Sequence, residues 1–299
     1  PFTPQGVDNY DYSATEGYFI GVDNATFGKL MMRRISTPAG VPTMSGNISI
    51  AVSTTQFPRT VPHSGNTGGT NGNLDGLDDR LYAAMARGGH LWTAHNIGVN
   101  TTGVATSTAS IKRNGTRWYD LTNLTGTPTV TQSGTVFDGA VQASARDFFI
   151  PSIMVTGQNH AALSLTTGGT PFFVNAYTAG RLSGDATGTM QAPIATTASA
   201  TAYNPPGDPG GAGGRRWGDY SYISLDPLDD MTLWMVNQYC NATNTYGCNV
   251  TKLLAPPPAT PASCVPASTP AGQTSVNVVI TGTAVSGSGF YDPGTDLSS

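Results

Sequence analysis

The densest run of oxygen donors is Asn71-Gly-Asn73-Leu-Asp75-Gly76-Leu-Asp78-Asp79, with side-chain oxygens at alternate positions and a glycine where a sharp turn requires one. Asn71, Asn73, Asp75 and Asp78 therefore read as candidate ligands of calcium, a hard cation held by oxygen donors in such loops. The twelfth position carries Tyr82 where an EF-hand has a bidentate glutamate, which leaves the alternative of a solvated turn capping the next strand. Asp226, Asp229 and Asp230 form a second acidic turn with the same two readings. His90 and His95 flank Trp92, but at this odd spacing they point to opposite faces of one strand, so a shared metal is not expected.

Behind the Gly-rich run Asp208 to Gly214 stands Arg215-Arg216-Trp217-Gly218-Asp219-Tyr220. Arg216, Trp217, Asp219 and Tyr220 read as a glycan platform, with rings stacking on sugar faces while guanidinium and carboxylate bind hydroxyls. Core aromatics with an Arg-to-Asp tie are the alternative. No catalytic residues are nominated, because a glycoside hydrolase needs two carboxyls facing each other across a sugar and no pair can be so placed. Cys240 and Cys248, eight apart, suit a local disulfide in an oxidising compartment with Cys264 unpaired; three free thiols are the alternative. Seven Asn-x-Ser/Thr sequons, at Asn24, Asn47, Asn100, Asn114, Asn123, Asn241 and Asn249, are candidate glycosylation sites.

The elements that position these residues must be strands. Of 299 residues only 11% are charged, while 42 Thr and 23 Ser solubilise the chain in their place. A hydrophobic content of 38% suffices for a packed core, and a formal charge of -4 offers no basic footprint for nucleic acid. No apolar run is long enough to span a membrane. Pro1 without a leader reads as a chain that begins after processing or inside a longer product. Helical periodicity is nearly absent. RLYAAMA, a Gly88-Gly89 turn and HLWTAHNI read as a hairpin, and EGYFIGVDN, KLMMRRIS, NISIAVS, TASIKR, TRWYDLT, TVTQSGTVF, DFFIPSIMV, AALSLTT, RWGDYSYISLD and MTLWMVNQY read as further strands. Turn-and-strand units begin near residues 88, 157 and 229. That recurrence predicts an all-β fold, a β-propeller of about four or more four-stranded antiparallel blades over 1–254. It is either a small ring or part of a larger one. Residues 255–273 are Pro/Ala/Ser-rich and read as a linker. Residues 274–299, with Val276, Val278 and Ile280 alternating, read as a strand of an incomplete immunoglobulin-like domain or a donor strand for assembly.

RRWGDYSYISLDPLDDMTLWMVNQYC followed by VTKLLAPPPATP resembles large secreted bacterial proteins with sialidase-like β-propellers and immunoglobulin-like repeats. LDGLDDRLYAAMARGGHLWTAHNI and DFFIPSIMVTGQNHAALSLTT are similar to earlier blades, and VVITGTAVSGSGFYDPG to the start of a repeat; the likeness covers roughly residues 10 to 262. A sialidase site implies an arginine cluster, a Tyr nucleophile with a Glu partner, and an Asp acid. Arg80, Arg113, Arg117, Arg146, Arg181, Arg215 and Arg216 are available, but Glu16 is the sole glutamate. The Asp-box of such propellers survives as Ser164, Gly168 and Thr170, with Thr166 in the aspartate's place.

The resulting expectation is a non-enzymatic structural protein, secreted or at the cell surface, glycosylated and joined to other copies by strand exchange into a filament or adhesive layer. A glycan-binding propeller module is the alternative, followed by a sialidase-like hydrolase. Calcium is the one cofactor suggested. The partners expected are other copies and glycans.

Overall fold

The computed structural model describes residues 1–23, 25–284 and 288–291. Among them the fold is all-β, with helix confined to four short 3-10 turns. β1 (Phe2–Gly6) leads through β2 (Asp8–Asn9) to β3 (Glu16–Val22), β4 (Lys29–Ser36), β5 (Thr43–Met44) and β6 (Ile48–Ala51); all but β2 make the first antiparallel sheet. The second sheet is the meander β7 (Ala83–Arg87), β8 (His90–Val99), β9 (Arg113–Thr122) and β10 (Thr129–Val136), to which β2 adds in parallel along β7. β11 (Asp147–Val155), β12 (Ala161–Gly169), β13 (Phe172–Arg181) and β14 (Ile194–Ala195) form the third, and β15 (Tyr222–Leu225), β16 (Leu233–Ala242) and β17 (Thr245–Leu253) the fourth. β18 (Thr260–Val265) and β19 (Val279–Thr283) pair separately.

Hairpin turns form where the sequence permits a left-handed backbone. Gly88 and Gly89 sit at φ 58° and 74°, the conformation that matches the twist of two-residue hairpins and that glycine adopts at no steric cost. TASIKR departs from expectation. It is a 3-10 turn at Thr108–Ser110, because the β8–β9 ladder closes at Val99 opposite Arg113 and leaves the preceding residues no partner strand.

Alternation sends side chains of one strand to two cores. Tyr18, Ile20, Val22, Leu30 and Met32 of the first sheet pack with Ala84, Ala86, Leu91, Tyr119 and Leu121 of the second. The second sheet's other face gives Met85, Trp92, Ala94 and Trp118 to a core shared with Ile153, Leu163 and Leu165 of the third sheet and Ile223, Leu225, Leu233 and Met235 of the fourth. Trp92 and Trp118, on adjacent strands of the second sheet, stack at 5.7 Å and are buried in this shared core. A third core, with Leu74, Phe149, Tyr203 and Trp217, lies where the long loops meet the ends of the sheets.

The C-terminal segment differs from its sequence reading. The Pro-rich stretch contains a strand, β18, and its partner β19 belongs to the segment expected to reach another copy. Ile280 lies opposite Cys264 within this ladder, while Val276 and Val278 precede it and are exposed. Proline is tolerated in β18 because an edge position needs no inward N–H donor there.

Candidate functional site

The two motifs singled out for binding form a single site, though they stand about 140 residues apart in sequence. Leu74 and Arg215 make a parallel β-bridge: the Arg215 N–H donates to the Asn73 carbonyl (2.6 Å) and the Asp75 N–H to the Arg215 carbonyl (2.7 Å). The Gly211 N–H donates to the Asn71 carbonyl (3.0 Å). Side chains then meet above this splice. Arg216 binds both Asp219 oxygens (2.9 and 2.8 Å) and reaches Asp75 (3.4 Å). Arg80 holds Asp78 with a fork of 2.7 and 2.8 Å and donates to the Tyr220 hydroxyl (3.4 Å). The Tyr220 ring packs edge-on against Tyr82 at 6.2 Å and is itself 57% exposed. The product is an open surface of one ring flanked by two guanidinium groups and three carboxylates.

Trp217 is a correction to the glycan platform. It is 4% exposed and packs T-shaped on Tyr203 at 4.8 Å inside the third core, since the chain alternates there and Tyr220 takes the outward place. Of the four candidate calcium ligands, Asn71 is exposed, and the other three meet protein donors. Asp75 accepts the Leu77 N–H (2.7 Å), Asn73 accepts from Asn66 (3.2 Å), and Asp78 is spent on Arg80. No group of three or more His, Cys, Asp or Glu side chains that could hold a metal ion occurs among the described residues.

The second acidic turn is a turn stabilised from within. Asp229 accepts the Met231 and Thr232 N–H groups (2.9 and 2.8 Å), and Asp226 accepts the Trp234 indole N–H (3.0 Å). Asp230 reaches further, taking both guanidinium nitrogens of Arg87 and, through its carbonyl, the Gly157 N–H (2.8 Å). The turns at 88, 157 and 229, which recur in the sequence, thus meet at one end of the molecule. His90 pairs with Asp120 (2.7 Å), while His95 is buried between the Asp79 carbonyl (2.5 Å) and the Tyr119 hydroxyl (3.1 Å), so the two histidines share nothing.

The disulfide is a further correction: Cys240, Cys248 and Cys264 are free thiols. Cys248 lies opposite Gln238 on the exposed face of β17, but the ladder register shifts between Tyr239 and Ala242 and turns Cys240 to the buried side. Among the sequons, Asn47, Asn123 and Asn241 are exposed, and Asn100 and Asn249 half-buried. Asn114 is fully buried and clasps the Arg59 main chain (2.9 and 2.8 Å), which excludes a glycan in the fold; Asn24 lies outside the described residues. The arginines do not gather as a sialidase cluster. Arg113 bonds the Asp138 and Ala140 carbonyls, Arg117 bonds Thr135, Arg181 bonds carbonyls of its own loop, and Arg215 bonds Tyr203 and Asn204. Arg146 stacks at 3.6 Å over Phe172. In the Asp-box remnant, Ser164 and Thr166 are bound to Asn237 of the next sheet (3.0 and 2.9 Å).

Sequence reasoning missed Asn237, Asp147 and His160, all buried polar groups inside apolar strands or turns, for which residue type alone gives no signal. No family model, no curated protein and no solved structure matches the chain.

Proposed function

We propose that this chain is a non-enzymatic, secreted β-propeller module that binds carbohydrate on the surface formed by Arg80, Arg216, Asp219 and Tyr220. The four stacked sheets serve as blades, and the loops at the starts of β7 and β15 carry the ligand contacts. The observation supporting this reading is the convergence of two distant loops on one exposed tyrosine ring flanked by charged hydrogen-bonding groups. An aromatic face and paired charged groups are what a sugar ring with its equatorial hydroxyls demands. The carboxylates here are tied to arginines, which suits holding a ligand more than transferring a proton. Binding to a glycan array is expected from the intact chain, and Tyr220→Ala should weaken it by about tenfold with the unfolding midpoint unchanged. A blank array, or a Tyr220→Ala variant that binds like the parent, refutes the assignment.

A second reading, a building block of an extracellular assembly, is favoured by the outward face of the fourth sheet. Tyr222, Val236 and Val250 line up across its three strands beside Trp234, and Val250 is 62% exposed. The second sheet covers both of its faces with neighbouring sheets, whereas the fourth sheet keeps the same alternation with one face open. The occupant is a sheet of a second copy. β19 pairs with β18 of its own chain, and on this reading the copies join through the open face of the fourth sheet. Sedimentation should show reversible self-association that Trp234→Glu abolishes; a parent monomeric at every concentration sinks this reading.

A further inference from the structure

The C-terminal arm runs from Ala259 through β18 and β19 to Tyr291 and stands outside the three cores, none of which draws a described residue from it. Every residue from 260 to 284 is exposed. A two-stranded hairpin is marginally stable by itself, so its order depends on what holds it. Two contacts fasten the tail onto the hairpin. The Ala259 N–H donates to the Gly289 carbonyl (2.9 Å), and the Phe290 ring lies so close over Gly282 of β19 that a Cβ there would stand 2.9 Å from it.

Tyr291 then reaches the sheets. Its hydroxyl donates to the Asp230 carboxylate, the same group that holds both guanidinium nitrogens of Arg87. The Tyr10 ring stands 5.1 Å from that guanidinium and closes the other side of the niche. The phenol comes in over Gly157, where a Cβ would run into the Tyr291 hydroxyl and the Asp230 carboxylate; the approach requires glycine at this position. Burial and the bond to Asp230 push the phenol up to about 12, so it remains a donor throughout the neutral range.

We propose that the C-terminal arm is a strap latched through Tyr291, which closes on the niche of Arg87, Gly157 and Asp230 and opens while the four sheets stay folded. Opening costs the sheets no core residue. It breaks one charge-assisted hydrogen bond, a weight that a single substitution shifts. Pro256, Pro257 and Pro258 form a stiff, extended spacer between β17 and the arm, so the arm swings as a unit about the end of the fourth sheet. The open state uncovers the Arg87–Asp230 pair where the turns at 88, 157 and 229 meet. This device is independent of the carbohydrate surface and of the open face of the fourth sheet.

Cys264 is exposed on β18 and takes a nitroxide label once Cys248, the other exposed thiol, is changed to serine. Electron paramagnetic resonance of the full chain then reads the motion of the arm, and urea midpoints read the sheets. Tyr291→Phe, which keeps the ring and loses the donor, should raise the ratio of mobile to immobile label by about tenfold, and Tyr291→Ala by more. Gly157→Ala should raise it from the other side of the contact. Urea midpoints should stay at the parent's value, as expected of a local opening. Tyr291→Ala changes the tail alone, so the test survives if Gly157→Ala fails to fold. An unchanged spectrum in either folded variant overturns the proposal. A midpoint that falls together with the spectral change overturns it as well, because the arm would then belong to the cooperative fold.

Discussion

Asp147→Ala should lose about 3–5 kcal/mol of unfolding free energy, the range for breaking a buried ion pair from one side. Asp147 opens β11 and is fully buried. Its carboxylate accepts Arg59 Nε (3.0 Å) and Nη2 (2.7 Å), and the Asn114 main-chain N–H (2.6 Å). Asn114 in turn clasps the Arg59 main chain, so one carboxylate joins the long loop before β7 to the start of β9 and the start of β11. Alanine leaves the half-buried Arg59 guanidinium without its partner and the Asn114 N–H without an acceptor. The cost therefore includes an orphaned Asn114 donor in addition to the lost pair. Removing the cation too, as Arg59→Met with Asp147→Ala, should restore part of the loss, because the uncompensated charge carries much of the penalty. Urea titration of both variants measures this. A loss below about 1 kcal/mol in the single variant would place the pair among solvent-screened surface contacts and refute the assignment.

The second large effect is a pH dependence hidden by cancellation. Burial, with the nearby Asp78 charge, pushes the Asp79 carboxyl up to about 6. Burial pushes the His95 imidazole down to about 4. Between about pH 4 and 6, folded Asp79 keeps a proton that the unfolded chain has released. Its contribution is present below the unfolded carboxyl pKa and is lost as pH rises through about 6. Folded His95 refuses a proton that the unfolded chain takes up below about 6.5. Its contribution is present above that value and is lost as pH falls towards about 4. Each amounts to roughly 3 kcal/mol, and over nearly the same interval they oppose each other. Asp79→Asn removes the first alone. The variant should gain roughly 3 kcal/mol between about pH 4 and 6.5 and exceed the parent at neutral pH. Urea midpoints taken across this range decide the matter, and a flat profile in Asp79→Asn contradicts it.

The hairpins were legible because alternation and turn chemistry are local. KLMMRRIS is β4 to the residue, and Gly88-Gly89 turns as its composition requires. The two candidate loops were legible as chemistry but not as a pair. A single parallel bridge between Leu74 and Arg215 joins them, and nothing in either segment announces the other. Trp217 and Tyr220 show the limit of residue type, since two aromatic residues in one motif divide into core and surface. The cysteines show the limit of spacing. A separation of eight is compatible with a loop-closing bridge, yet one register shift in β16 sends the two sulfurs to opposite faces.

By itself the amino-acid order determined an all-β chain with a hydroxyl-rich exterior, its main strands and its recurring turns, since each depends on neighbours within a few residues. Tertiary structure alone decided which charges pair, which face of the fourth sheet stays open, and that β19 folds back on β18. These outcomes depend on long-range packing. The free energy of a buried polar group or an apolar face is set by what lies across from it, and that partner is remote in sequence.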